Sequence, residues 1–365
     1  MLEKDLILKE KEVLERVGFV LDEKQRSGSF VLLDEEEMAS NYTEGVTFYS
    51  MGKAVEEIKG VKEKLWTLVD RDKDQWTRKA ASQPPRGYFI HVARGVKVEK
   101  PLQACFLIAT SRMTQTTHNL IILEDGAELY MINGCATASY VNAGLHIGIT
   151  EIFVGKGAFL SYTMIHDWAS QVEVRPRTGV YVQEGGKFVS NYITIKESKL
   201  TQTYPEAIVE KNGAAQFASL VFAPSRSIYD LGARIYLNGE GASGEIISRA
   251  ISGGGKVYSK GHLIGNAAGI KAHMSCDGLL LNSEGSIIAI PELEANHPEV
   301  EMSHEAAVGK IAEEEIEYLM SRGFSPEQAR SLIIKGFLDP KILGLPPALE
   351  MEVNKTIEML GEGSL

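Results

Sequence analysis

Cysteine is scarce in this chain. There are three in 365 residues, Cys105, Cys135 and Cys276, and no C-x-x-C. They are too few and too scattered for a disulfide framework. The spacing also excludes a self-contained zinc or ferredoxin-type cluster site, so any cluster held here needs His or carboxylate ligands, or a second chain. The phosphate loop G-x-x-x-x-G-K-[ST] is missing, and Gly253-Gly254-Gly255-Lys256 is only a turn. The chain therefore does not hydrolyse ATP by a P-loop mechanism. No G-x-S-x-G elbow occurs, and His304-Glu305 runs on into Ala306, Ala307 and Val308 rather than completing H-E-x-x-H. Basic charge is in deficit: 38 Lys and Arg face 49 Asp and Glu, a formal net charge of −11. A general nucleic-acid binder would need a basic face. No apolar run approaches the ~18 residues of a membrane span, and the start, MLEKDLILKEKEVLE, is charged and helical rather than a signal peptide. The expectation is a cytoplasmic protein with neither membrane nor nucleic acid as partner.

What is present is an ordinary globular composition, 44% hydrophobic and 24% charged, in a chain long enough for two or three domains. Residues 1–85 are charge-rich and mainly helical, with a short strand at SFVLLD, and Gln83-Pro84-Pro85-Arg86-Gly87 closes them because two prolines cannot continue a helix. From 86 to about 300 short apolar or alternating segments recur, among them YFIHVA, NLIILE, GVYVQE and SIIAIPELE. Glycine turns separate them: residues 126, 157, 186, 213 and 241 and, after a skip, 255 and 285 mostly fall 27 to 31 apart. Strands without intervening helical pattern exclude an α/β fold. The period favours a parallel β-helix in which each coil stacks on the next, although a sandwich would show similar strands. A solenoid has two open ends, and the helical sections at either terminus are the natural covers.

The C-terminal section, 301–365, contains two short amphipathic helices. Ile316, Leu319 and Met320 lie on one face of the first, which Gly323 stops. Ser325, Pro326 and Gln328 form an S-x-x-Q capping box for the second, whose apolar face is Ala329, Leu332, Ile333 and Phe337. ALEMEVNKTIEMLGEGSL predicts one more helix, burying Met351, Ile357 and Leu360. In front stand His304 and Glu305, preceded by Glu292, Glu294, His297 and Glu301; imidazole and carboxylate together suit iron. In an extended strand neighbouring side chains point to opposite faces, so the pair ligates together only if the backbone turns there.

The run S-H-E-A-x-x-G-K-I, then a helix, then S-R-G-F-S-x-x-x-A and I-I-x-G-F resembles the C-terminal signature of the SufB/SufD family, the scaffolds of SUF iron–sulfur cluster assembly. The resemblance covers roughly residues 45–340. It implies a right-handed parallel β-helix core (86–300) flanked by an N-terminal mainly helical domain (1–85) and a C-terminal helical domain (301–365). In B-type members the acidic residue of E-H-E-A is implicated in cluster binding, and in D-type members the histidine of S-H-G-A. Ser303-His304-Glu305-Ala306 keeps both. Asn133-Gly134-Cys135-Ala136, followed by Leu145-His146, resembles the B-type E-G-C segment, whose cysteine is implicated in carrying sulfur. His166-Asp167-Trp168 stands where B-type members have Q-N-W, thought to line a route through the β-helix; a polar passage could lower the Cys135 pKa. Glycine, Gly285, replaces the B-type cluster cysteine, with Cys276 nine residues earlier as a possible substitute.

The resemblance thus implies a scaffold, not an enzyme: a homodimer joined through the C-terminal ends of its cores, transiently holding a cluster on His304, Glu305 and Cys135, with Cys276, Glu292 and Glu294 as weaker ligands. Ala329, Leu332, Ile333 and Phe337 would dock a SufC-type ABC ATPase, which would hydrolyse the ATP. The alternatives are a D-type subunit needing a separate B-type scaffold, or a polysaccharide-acting β-helix enzyme. The latter would need paired carboxylates on one exposed coil face.

Overall fold

The computed structural model describes residues 9–337, apart from 42 and 195. The last predicted helix, with Met351, Ile357 and Leu360, lies outside the described residues. No cis peptide bond occurs among the described residues.

The chain winds as a β-solenoid, laying each coil across two facing sheets. Among the described residues one sheet has ten strands. Its order is Glu36–Asn41, Gly28–Leu33, Leu102–Ile108, Glu128–Thr137, Phe159–Asp167, Lys187–Thr194, Ala214–Pro224, Ser243–Gly253, Ile270–Leu280 and Val300–Lys310. The other has eleven, from Val46–Ser50 and Tyr88–Val92 to Lys256–Gly265 and Ser286–Ala295. Parallel neighbours normally need a helical crossover. Here the facing sheet is the crossover, so strand follows strand without helices, as the sequence pattern demands. The stacks are in register over whole strands: Lys187–Thr194 matches Phe159–His166 on one side and Ala214–Val221 on the other.

One corner of the coil sets the repeat. Gly126, Gly157, Gly185, Gly241 and Gly269 all have positive φ there, and Asn212 (φ 54°) takes the same place. Each N–H along this corner reaches the carbonyl one coil on, as in Gly157 N to Glu184 O (3.0 Å) and Gly185 N to Lys211 O (2.9 Å). Gly186 and Gly213 therefore sit one residue past the turn that the glycine spacing tracked. Gly255 and Gly285 belong to the opposite corner, before Lys256–Gly265 and Ser286–Ala295, which explains the skip.

The two ends are built differently. Gly28–Leu33 and Glu36–Asn41 pair antiparallel, as do Val46–Ser50 and Tyr88–Val92, so the parallel stacking stops at the N-terminal end. Phe30, Phe48, Tyr88 and Phe106 fill the lumen there, fully buried, with ring centroids 5.8 to 6.5 Å apart. At the other end Ser286–Ala295 and Val300–Lys310 each pair on one side only among the described residues.

The two described C-terminal helices, Glu313–Ser321 and Pro326–Phe337, do not lie over this end, contrary to expectation. Ser303–Lys310 stays extended because it bonds along Ile270–Leu280, and the first helix begins only at Glu313, beside the solenoid. Ile316 and Ile334 there face Gly253, Leu280 and Leu281, and Arg249 Nη1 donates to the Phe337 carbonyl at 2.7 Å. Both sequence-predicted helix signals hold. Gly323 (φ 96°) ends Glu313–Ser321, and Ser325 Oγ and the Gln328 side chain exchange bonds with each other's backbone N–H at the start of Pro326–Phe337.

Candidate functional site

The site residues begin on the last strand, Val300–Lys310. In the neighbouring strand Ile270, Ala272, Met274 and Cys276 are buried toward the lumen, while Lys271, His273, Ser275 and Asp277 face out. Register then fixes the last strand: His304 lies beside Met274 and continues the lumen column, and Glu305 lies beside Ser275 on the outer face. The two adjacent candidates are exposed on opposite sides of one strand. Glu305 instead finds His273, Oε1 to Nε2 at 3.7 Å, while Ser303 Oγ is 2.8 Å from His273 Nδ1.

Cys276 lies one strand in, buried, with Ala306 as its outer neighbour. Its sulfur is 3.8 Å from Ser259 Oγ, which donates to Ser248 Oγ at 2.7 Å. Burial pushes the Cys276 thiol pKa up. Glu292 and Glu294, on the other edge strand, flank His262: Nδ1 is 3.3 Å from one carboxylate and Nε2 3.4 Å from the other. Among the described residues no three His, Cys, Asp or Glu side chains converge as a metal-binding group.

Cys135 is far from all of these. It stands six strands from the last one in the same sheet, about 29 Å at a spacing of ~4.8 Å. His166 is its in-register neighbour, and Asn133 Nδ2 is 3.3 Å from its sulfur. The expected lowering of its pKa is not found. Burial pushes the thiol well above its ordinary value, and the Asn133 contact offsets this only in part. The surrounding lumen is polar but uncharged. Burial holds His146 down to about 3 and His166 well below its ordinary value, so both are neutral at pH 7. His146 Nδ1 bonds Gln115 at 3.0 Å, and His166 Nδ1 bonds the Tyr192 hydroxyl at 2.9 Å. The Trp168 ring packs against both imidazoles. His166 Nε2, Trp168 Nε1 and Asn133 Oδ1 are buried without a hydrogen-bond partner among the described residues. Farther along, a lumen cavity of about 60 Å³ is lined by Tyr162 and Tyr192 toward the Cys135 side and by Ser248 and Ser259 toward the Cys276 side. It has room for water.

A family model described as "SUF system FeS cluster assembly, SufBD core domain" matches residues 106–337. The chain belongs to the SufBD family. It is 48% identical over 351 residues to an iron-sulfur cluster assembly SufBD family protein of Archaeoglobus fulgidus, spanning 96% of this chain and 95% of that protein. A protein of the same description from Methanothermobacter thermautotrophicus is 41% identical over 359 residues, 96% of this chain and 88% of its own length. One from Staphylococcus aureus is 36% identical over 285 residues, 76% of this chain and 61% of its own. The chain is thus a component of SUF iron–sulfur cluster assembly, in a family of generally non-catalytic scaffolds.

In this SufBD chain the C-terminal helices present a second surface. Ala329 is fully buried and Phe337 is packed under the Arg249 guanidinium, so both serve the chain's own fold. Ile334, not singled out from the sequence, is the other buried anchor of that helix. Ile333 is half-buried, whereas Leu332, Tyr318, Met320 and Phe324 are 41 to 59% exposed. Among the described residues no helix is long and apolar enough to cross a membrane. His262 and His273 were invisible as partners of carboxylates, because only strand register brings them together.

Proposed function

We propose that this SufBD chain is a stand-alone cytoplasmic scaffold that homodimerises through its last coil and assembles a cluster there as cargo. The carrying observation is the C-terminal end of the solenoid: two strands that, among the described residues, pair on one side only, bearing Ile288, Ile290, Leu293 and Val308 at 38 to 43% exposure. Such edges are templates for pairing with another chain. An isologous contact doubles every ligand near its axis, so His304 and Glu305 of each protomer, with Glu292 and Glu294 on the adjoining edge strand, would supply a set that the described residues of one chain do not form. Cys276 lies too deep for direct contact with a partner and would need the edge to open.

In this reading residues 1–85 close one end, 86–300 form the core and 301–365 carry contacts to a SufC-type ABC ATPase. The exposed Leu332, with Tyr318, Met320 and Phe324, is the apolar surface offered to it. Ile333 contributes in part, and Ala329 and Phe337 hold the helix in place. ATP-driven closure of paired ATPases would then rearrange the dimer interface. Cys135 is the sulfur entry point, and the unpartnered polar atoms of the lumen mark the way toward the last coil. Because its thiol stays protonated, loading requires the buried Cys135 to become hydrated or to meet a cationic donor first.

The test is anaerobic iron and sulfide reconstitution of the chain with its ATPase, read by absorbance and metal content. His304→Ala and Glu305→Ala should lose bound cluster while remaining dimeric, and Cys135→Ser should lose assembly from a sulfur donor but not from free sulfide. Variants that all bind as wild type does would remove the ligand assignment. Failure of the wild type to bind would make the chain a subunit that needs a separate scaffold.

A further inference from the structure

Away from the lumen, on the outer face of the eleven-stranded sheet, the N-terminal section leaves a recess of about 490 Å³. That volume lies within the ~300–1,000 Å³ of small-molecule sites. In a chain of net charge −11, the charged side chains lining it are Lys62, Arg71 and Arg86, all cationic. Arg86 is shared with Glu35, 3.1 and 3.2 Å away. Among the described residues Lys62 and Arg71 have no ion-pair partner. His118, which also lines it, is tied to Glu151.

The wall of this recess is held by an unusual device. Glu151 is fully buried, and its carboxylate accepts the backbone N–H groups of Trp66 (2.6 Å), Leu68 (2.6 Å) and Val69 (3.2 Å), with His118 Nε2 at 2.7 Å. Trp66 is thereby held at φ 65°, a left-handed conformation costly for a bulky side chain, with its ring edge-on to His118 at 4.5 Å. Strain of this kind persists where surrounding bonds over-determine it, and it concentrates at ligand clamps. Here it fixes an indole in a recess also walled by Pro84 and Pro85 and rimmed by two unpaired cations.

We infer that this recess binds a small phosphorylated ligand with a planar apolar body, of the nucleoside monophosphate class. Lys62 and Arg71 hold the phosphate through charge-assisted hydrogen bonds, and Trp66 with the prolines receives the ring. The site is separate from the last coil and from the lumen, and it stands whether or not the cluster ligands are assigned correctly.

The probe is adenosine monophosphate, titrated calorimetrically into the full chain without its ATPase, beside adenosine and inorganic phosphate. Saturable millimolar or tighter binding of the nucleotide is expected. Each fragment alone, and the Lys62→Gln/Arg71→Gln double variant, should bind at least about tenfold more weakly, or 1.4 kcal/mol. Both cations are exposed, so the variant should keep its melting temperature, and Lys97→Gln, a cation elsewhere, should bind as wild type does. Absence of saturable binding up to about 10 mM overturns the proposal. So does a double variant that binds normally, or inorganic phosphate binding as tightly as the nucleotide.

Discussion

The two ends of this solenoid solve the same problem in opposite ways. At the N-terminal end, antiparallel strands end the parallel stacking and four aromatic rings plug the lumen. At the C-terminal end, among the described residues, two parallel strands pair on one side only, with apolar side chains and a histidine–glutamate pair exposed. Capping suppresses edge-to-edge association, and the proposed dimer uses the end that the described residues leave without it. The difference teaches that the described residues spend packing on one end and edge pairing on neither strand of the other.

The comparison can be broken first by truncation. Phe106→Ala at the plugged end should cost about 3–5 kcal/mol, the range for burying a cavity in place of a phenylalanine. Ile290→Ala at the bare end should cost less than about 1 kcal/mol in the monomer. Urea denaturation at a concentration where the chain is monomeric measures both, and similar costs there would mean that Ile290 is packed within the monomer.

Acid sharpens the contrast next. His146 and His166 are neutral in the folded chain, while their unfolded counterparts take up protons near 6.5. The unfolded state therefore binds more protons below that pH. Their contribution is complete above pH 6.5 and is lost as pH falls toward the folded value, about 3 for His146. Each should cost about 1.4 kcal/mol per pH unit, and His146→Gln should flatten the slope of melting temperature against pH between 6.5 and 4. A slope unchanged by that substitution would contradict the neutral imidazole. A smaller effect is expected in the C-terminal helices, where Ser325→Ala removes the cap: about 1 kcal/mol, read as faster amide exchange over Pro326–Phe337 and not in the solenoid. Exchange that quickens throughout would mean that the helix is integral to the core.

Much of this architecture was legible in the sequence, for identifiable reasons. Short strands and a coil-length glycine period follow from backbone conformation, and so favour the solenoid without tertiary information, while the family resemblance set it apart from a sandwich. The stop at Gly323 and the Ser325–Gln328 box are equally local, and both are present. What escaped depends on register. The spacing tracked Gly186 and Gly213, although the left-handed turns fall on Gly185 and Asn212, because asparagine can replace glycine there. Glu305 pairs with His273, and Glu292 and Glu294 with His262, across strands about thirty residues apart in sequence. Polar neighbours point to a solvated passage that lowers the Cys135 pKa, whereas these neighbours are buried and neutral and the thiol is pushed up. The two described C-terminal helices lie beside the last coil because Ser303–Lys310 continues as a strand along Ile270–Leu280, a pairing that only register decides.

The most direct test of the account is the mass of the chain in solution, by sedimentation at micromolar concentration, for wild type and for Ile290→Lys/Val308→Lys. The account predicts a wild-type dimer and a monomeric double variant that still unfolds cooperatively by tryptophan fluorescence. A variant that stays dimeric, or a wild type that is monomeric with its ATPase bound, would contradict it.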